Sequence, residues 1–140
     1  MTFQESYILE KLSQIAEKIK EVKKFFRFSE EEILADSEKL HVAERLFQLI
    51  VDDILDINQH FIKELNFDIS EDLQGTFYIL GENSVLPKDF AFKIAPVTGV
   101  RNILVHQYEK LDEKLFIHTL IKNYSDFEKY IKFILEYLKK

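Results

Sequence analysis

No cysteine occurs anywhere in the chain, so neither a disulfide nor a thiolate metal site can form. Tryptophan is also missing, and only three glycines and two prolines interrupt 140 residues. So few breakers leave long uninterrupted segments, which favours helices. No run approaches the roughly 18 uncharged apolar residues of a membrane span. The opening Met1-Thr2-Phe3-Gln4-Glu5 lacks the basic-then-apolar signature of a secretory leader. A cytoplasmic protein with no membrane partner is therefore expected. Positive charge is scarce too, with 19 Lys and Arg against 25 Asp and Glu, a net charge of −6. That balance argues against broad, sequence-independent nucleic-acid binding and still allows a local basic cleft.

What the chain does have is apolar bulk. Hydrophobic residues make up 46%, including 13 Phe, enough for a core without metal or disulfide support. The length suits one domain over 1–140. Ile8, Leu12, Ile15, Ile19, Val22 and Phe26 step by threes and fours, which predicts a helix near 4–26. Ser29 stands three residues before Glu32, the spacing of a capping box. Leu40, Ala43, Phe47, Ile50, Ile54, Ile57 and Phe61 predict a second helix near 36–65, with Asn66 as its stop. A shorter helix is expected near 71–81, capped by Gly81. Pro87 suits the first turn of a fourth helix near 87–110, with Pro96 and Gly99 predicting a kink or break near Ala95. A last helix is expected near 113–138. No internal repeat or linker appears. The pattern predicts an all-α, antiparallel bundle of four to five helices.

One segment breaks the amphipathic rule. Arg101 and Tyr108 fall on the apolar stripe of the fourth helix, with Ile94, Val97, Leu104 and Leu111. A guanidinium among core positions is costly unless it is paired or faces an interface. His106 follows Arg101 by five residues and points well away from it, beside Asn102 and Glu109. All three can edge one cleft if a second surface closes over them, and a two-fold dimer would supply it. Taken singly, Arg101 reads as a snorkelling helix arginine, His106 as a structural histidine and Tyr108 as a core aromatic.

Gln48, Asp52, Asp56 and His60 repeat every four residues along the second helix. They form either a solvated face or a line that borders the cleft and orients Arg101 or His106. A metal site from Asp52, Asp56 and His60 is disfavoured, because spacing alone is a weak warrant. His41 and His118 read as incidental.

The octet Arg101-Asn102-Ile103-Leu104-Val105-His106-Gln107-Tyr108 resembles the R-x-x-x-x-H-x-Y motif of HepT-like proteins, a branch of the HEPN superfamily. Glu44-Arg45-Leu46-Phe47-Gln48 and Asp56-Ile57 to His60 are similar to the family's second helix. Phe77 to Leu80 and Leu111-Asp112 match its third helix and the start of its last. The resemblance implies a HEPN-like helical domain and a metal-independent endoribonuclease without cofactor. It implies the toxin of a type II/VII-like toxin–antitoxin pair, encoded beside an MntA-type nucleotidyltransferase antitoxin. Carried over by position, Arg101 and His106 are the catalytic residues and Tyr108 is the site of adenylylation. Asn102, Asp52 and Asp56 are supporting candidates.

The chemistry is reasonable for RNA, which carries its own nucleophile in the 2′-hydroxyl. Histidine titrates near neutral pH and serves in either proton role. Arginine grips phosphate oxygens with a planar fork and stays charged. Two copies of His106 facing across a homodimer would provide both an acid and a base. The alternative is a non-catalytic subunit, whose cleft holds a nucleotide or presents a substrate to the nucleotidyltransferase.

Overall fold

The computed structural model describes residues 4–140. Met1 to Phe3, which open the segment read above for a leader, lie outside the described residues. The helices are α1 (Glu5–Lys23), α2 (Glu30–Ala35), α3 (Ser37–Glu64), α4 (Gly75–Glu82), α5 (Lys88–Ile94), α6 (Val97–His106), α7 (Glu113–Asn123) and α8 (Ser125–Leu138). Short 3-10 turns occupy Lys24–Arg27 and Tyr108–Lys110, and no strand occurs among the described residues. The all-α bundle is as expected, with more segments than the four to five helices read from the sequence.

Local chemistry sets the ends of α2 and α3. Ser29 Oγ accepts from the Glu32 N–H at 3.1 Å while Glu32 Oε1 accepts from the Ser29 N–H at 3.0 Å, so the expected capping box is present. Asp36 caps α3 by accepting from the Glu38 and Lys39 amides. Asn66 ends it in the left-handed region at φ 56°, and the Phe67 N–H closes back on the Ile62 carbonyl at 3.0 Å.

The long α3 is the spine. Ile50, Ile54, Ile57 and Phe61 are fully buried on it, within the same core as Ile8 and Ile15 of α1 and Tyr130 and Ile134 of α8. Each such aliphatic side chain contributes about 1.5–3 kcal/mol relative to exposure. Phe47 joins α7 and α8 to the spine through Phe116, edge-to-face at 5.3 Å, and Phe127 at 5.8 Å. A buried polar chain crosses the core: Tyr130 donates to Asn58 Oδ1, Asn58 Nδ2 to Thr76 Oγ1 at 3.1 Å, and Thr76 to the Leu73 carbonyl at 2.6 Å.

Three expectations need correction. Gly81 does not cap α4. It lies inside the helix, where an added Cβ would come within 3.1 Å of Ala91 Cβ, so its smallness serves the approach of α5. Ser84, at φ 60°, takes the left-handed cap position instead, with the Val85 N–H returning to the Leu80 carbonyl at 3.0 Å. The fourth helix breaks at Ala95-Pro96, as expected from a residue with no N–H, but it also stops at His106 rather than running to 110. Residues 105–110 are all exposed, so no buried face sustains another turn, and Gln107 leaves the helix at φ −141°, ψ 43°. The last helix divides at Tyr124, where Asn123, Ser125 and Asp126 are weak helix formers whose side chains compete for backbone groups.

Candidate active site

Helix α6 lies against α3 and carries the motif. Among its residues only Thr98 is buried, while Val97, Val100, Ile103 and Leu104 are half-covered. Arg101 reaches across to the spine, where its Nε donates to Asp52 Oδ1 at 2.7 Å. Its Nη1 donates to Asn102 Oδ1 at 3.1 Å. Asp52 and Asn102 thus hold the guanidinium at its Nε and Nη1 positions. Nη2 has no protein partner among the described residues, so its two N–H donors remain available to an anion. The cost of placing arginine on the inner face is thus offset by pairing, as the sequence demanded.

His106 is the last residue of α6 and is exposed. Five residues along a helix separate it from Arg101 by about 7.5 Å of rise and roughly 140° of rotation. One chain therefore offers the guanidinium and the imidazole on different sides of α6, and only a second surface encloses both.

Tyr108 lies beyond the helix, so the expectation that it shares a helical face with Arg101 does not hold. The turn at Gln107 carries its ring back over α3, where its hydroxyl donates to Glu44 Oε1 at 2.7 Å. The His41 ring lies 6.5 Å from the Tyr108 ring, centroid to centroid. Glu44 and Asp52 are eight residues apart on α3, about 12 Å along the axis. The phenolic oxygen accordingly does not lie directly in front of Arg101. Burial, then the bond to Glu44, then the nearby Glu113 push the Tyr108 hydroxyl well above its ordinary range, so it stays protonated at neutral pH. Glu44 is raised as well, by burial first, with Glu113 adding and Tyr108 and His41 opposing.

The polar line on α3 is shifted from the one expected. Asp52 meets Arg101, but Asp56 accepts from Lys11 Nζ at 3.0 Å, and His60 Nε2 accepts from the Gln4 N–H at 3.2 Å beside Tyr7. Each four-residue step advances 400°, so the line winds by about 40° per step and passes from α6 towards α1. The α3 residues bonded by α6 and its following turn are Asp52 and Glu44, and half-buried Gln48 lies one helical turn from each. Glu44 was missed as a site residue. Its signal was an acid beside Ala43 and three before Phe47, within the buried stripe. Asp52, Asp56 and His60 do not converge, and among the described residues no three metal-ligating side chains gather. His118 pairs at the surface with Glu30 at 3.1 Å.

The ribonuclease HepT-like family model matches residues 15–134. The chain belongs to the ribonuclease HepT-like family. The tRNA nuclease HepT of Aphanizomenon flos-aquae is 32% identical over 139 residues, covering 99% of this chain and 95% of the relative. The mRNA nuclease HepT of Shewanella oneidensis is 24% identical over 131 residues, covering 91% and 95%. The fold is that of the tri-AMPylated Shewanella oneidensis HEPN toxin solved in complex with its MNT antitoxin, with a TM-score of 0.86, 21% identity, and coverage of 95% of this chain and 99% of that one. The Bacillus subtilis cytosolic protein YutE shares it at a TM-score of 0.83 and 18% identity, over 99% and 94%. Among the described residues of this HepT-like chain, no helix is long and apolar enough to cross a membrane.

Proposed function

We propose that this HepT-like ribonuclease is a single-domain cytoplasmic toxin that cleaves RNA without metal, using Arg101 and His106. The observation that carries this reading is Arg101 itself. It is held at 2.7 Å by Asp52 and steadied by Asn102, with Nη2 left for phosphate, on the helix that ends in an exposed histidine. In this reading Arg101 binds the scissile phosphate and stabilises the charge that builds on it. His106 moves the proton of the 2′-hydroxyl or of the leaving 5′-oxygen. Asp52 is a positioning residue, since it acts through Arg101.

A homodimer completes the site. An apolar groove of about 410 Å³ runs between α6 and α7, bordered by Val97, Val100, Ile103, Leu111 and Leu115. Leu115 on its border is 59% exposed. A second copy seated there would cover these residues and bring a second His106 to the cleft. The antitoxin partner is an MntA-type nucleotidyltransferase, and Tyr108 is the residue that accepts adenylate. The modification breaks the Tyr108–Glu44 bond and sets an anionic nucleotide at the edge of the cleft, where it hinders RNA.

RNA cleavage by the purified protein tests the reading. Wild type is expected to cut RNA with chelator present, and His106→Ala to lose that activity while keeping its helix content. Cleavage by His106→Ala at the parent rate would remove His106 from the mechanism, and no cleavage by the wild type would leave the chain as a non-catalytic binding subunit.

A further inference from the structure

The carboxylate of Glu44 is spent in an unusual way. It is 6% exposed, its Oε1 accepts from Tyr108 at 2.7 Å, and its Oε2 is buried with no partner. Buried Asp53, on the same helix, is answered by Lys18 at 2.8 Å and Lys11 at 3.5 Å. No lysine or arginine forms an ion pair with Glu44 among the described residues. Holding Tyr108 in place needs only a neutral acceptor, which glutamine would provide without the cost of a buried charge. A base needs the carboxylate.

We infer that Glu44 is the proton acceptor for the modification of Tyr108: Oε1 takes the phenolic proton as Oη attacks the α-phosphorus of a nucleoside triphosphate held by the partner nucleotidyltransferase. The Oη–Pα bond forms and the bond from Pα to the β-phosphate oxygen breaks. Pyrophosphate leaves, and the proton ends on Glu44. The inference rests on the reading that Tyr108 is the modified residue.

Three features support it. The Tyr108 hydroxyl stays protonated at neutral pH, so its proton has to be removed during the attack rather than beforehand. Burial lifts Glu44 towards neutrality, where a carboxylate is better matched to that task. The groups facing it are Tyr108 itself, His41 on α3 and Glu113 at the start of α7. Geometry separates the two partners of the reaction: Tyr108 is 41% exposed, so the triphosphate approaches from solvent while the carboxylate takes the proton from the inner side. After transfer Tyr108 has no proton to donate, its hold on Glu44 is lost, and water reaches the carboxyl to carry the proton away.

The test follows adenylate incorporation by intact mass during incubation with the cognate nucleotidyltransferase, magnesium and ATP. Wild type, Glu44→Gln, Glu44→Asp and Tyr108→Phe are compared between pH 5 and 8.5, with helix content checked by circular dichroism. Glu44→Gln is expected to slow incorporation by about a hundred- to ten-thousand-fold, the usual loss for a missing base. Glu44→Asp should retain part of the rate. The base acts as its anion, so wild-type incorporation rises with pH through the raised Glu44 range, and this rise should vanish in Glu44→Gln. Incorporation into Glu44→Gln at or above the parent rate, with Tyr108→Phe unlabelled, overturns the inference alone and shows that the bond merely holds Tyr108 at rest. Labelling of Tyr108→Phe at the parent rate overturns both the inference and the reading beneath it. Should Glu44→Gln lose helix content, Glu44→Asp decides, and an acid limb unmoved from the parent's overturns the proposal.

Discussion

On the α1 side of the spine, α3 presents Asp53 and Asp56 to Lys11 and Lys18, and its apolar residues disappear beneath α1 and α8. On the α6 side the same helix presents Asp52 to Arg101 and Glu44 to Tyr108. There α6 buries only Thr98, whose hydroxyl lacks a partner, and its last two residues and the turn beyond them, Val105 to Lys110, are all exposed. Both sides use an aspartate–cation pair, yet only α1 fully buries its apolar stripe, while Val97, Val100 and Leu104 of α6 are partly buried. The difference teaches that the α1 side carries stability, and that the α6 side is held in place by a few polar contacts that leave its chemistry open. Local opening is expected first where buried apolar contact is least.

The largest expected effect separates the two sides outright. His106→Ala should cut the RNA cleavage rate by about a hundred- to ten-thousand-fold with no shift in melting temperature, because the residue is exposed. A large fall in melting temperature would break the comparison. The mirror experiment is Ile54→Ala, at a fully buried position of the spine. It should destabilise the protein by about 2–5 kcal/mol in denaturant titration, while the folded fraction keeps its cleavage rate.

A smaller effect sharpens the role of Asp52. Asp52→Asn removes the charge that fixes Arg101, and a hydrogen bond to a charged group is worth about 1.5–3 kcal/mol. Cleavage should fall by about tenfold or more, read as kcat and KM for RNA, with Arg101→Lys impaired too because lysine lacks the fork. Unchanged kinetics in Asp52→Asn would reduce the ion pair to a surface contact.

The smallest effect lies far from the cleft. Ser29→Ala should cost about 1 kcal/mol by removing the capping box. Hydrogen bonds to Ser29 hold Glu32 below the usual carboxylate range, and the Lys39 ammonium and amide do the same for Asp36. A depressed folded-state pKa gives stability that is present above the ordinary value, near 4, and is lost as pH falls through the folded value. Thermal melts between pH 5 and 2 should therefore show a shallower acid loss in Ser29→Ala than in the parent.

The bundle was legible in the sequence because the core stripes repeat every three or four residues, and burial follows that period. Leu40 to Phe61 and Ile8 to Val22 are buried as that period requires. Breaks were legible where a residue lacks a group, as at Pro96, and illegible where the cause is missing packing, as at Gln107. That second break decides the site, since it turns Tyr108 away from the face of Arg101 and onto Glu44. Asp52 was legible only as one of four polar residues, with Gln48, Asp56 and His60, expected either on a solvated face or along a line orienting Arg101 or His106. Asp56 was not separable from it by spacing alone, because the winding of the four-residue line matters only once α1 and α6 have taken their places. Glu44 was visible only as an acid in an apolar stripe, and nothing in one sequence says which hydroxyl will answer it.

The proposed reaction is metal-free cleavage of RNA through its own 2′-hydroxyl at Arg101 and His106. The most direct measurement compares two substrates with excess chelator, an RNA that the protein cuts and the same RNA with a single 2′-deoxy sugar on the 5′ side of the cut. The all-ribose strand is expected to be cleaved with chelator present, and the 2′-deoxy strand to stay intact at that bond. Cleavage of the 2′-deoxy strand at an equal rate, or activity that disappears with chelator and returns with a divalent metal, would contradict it.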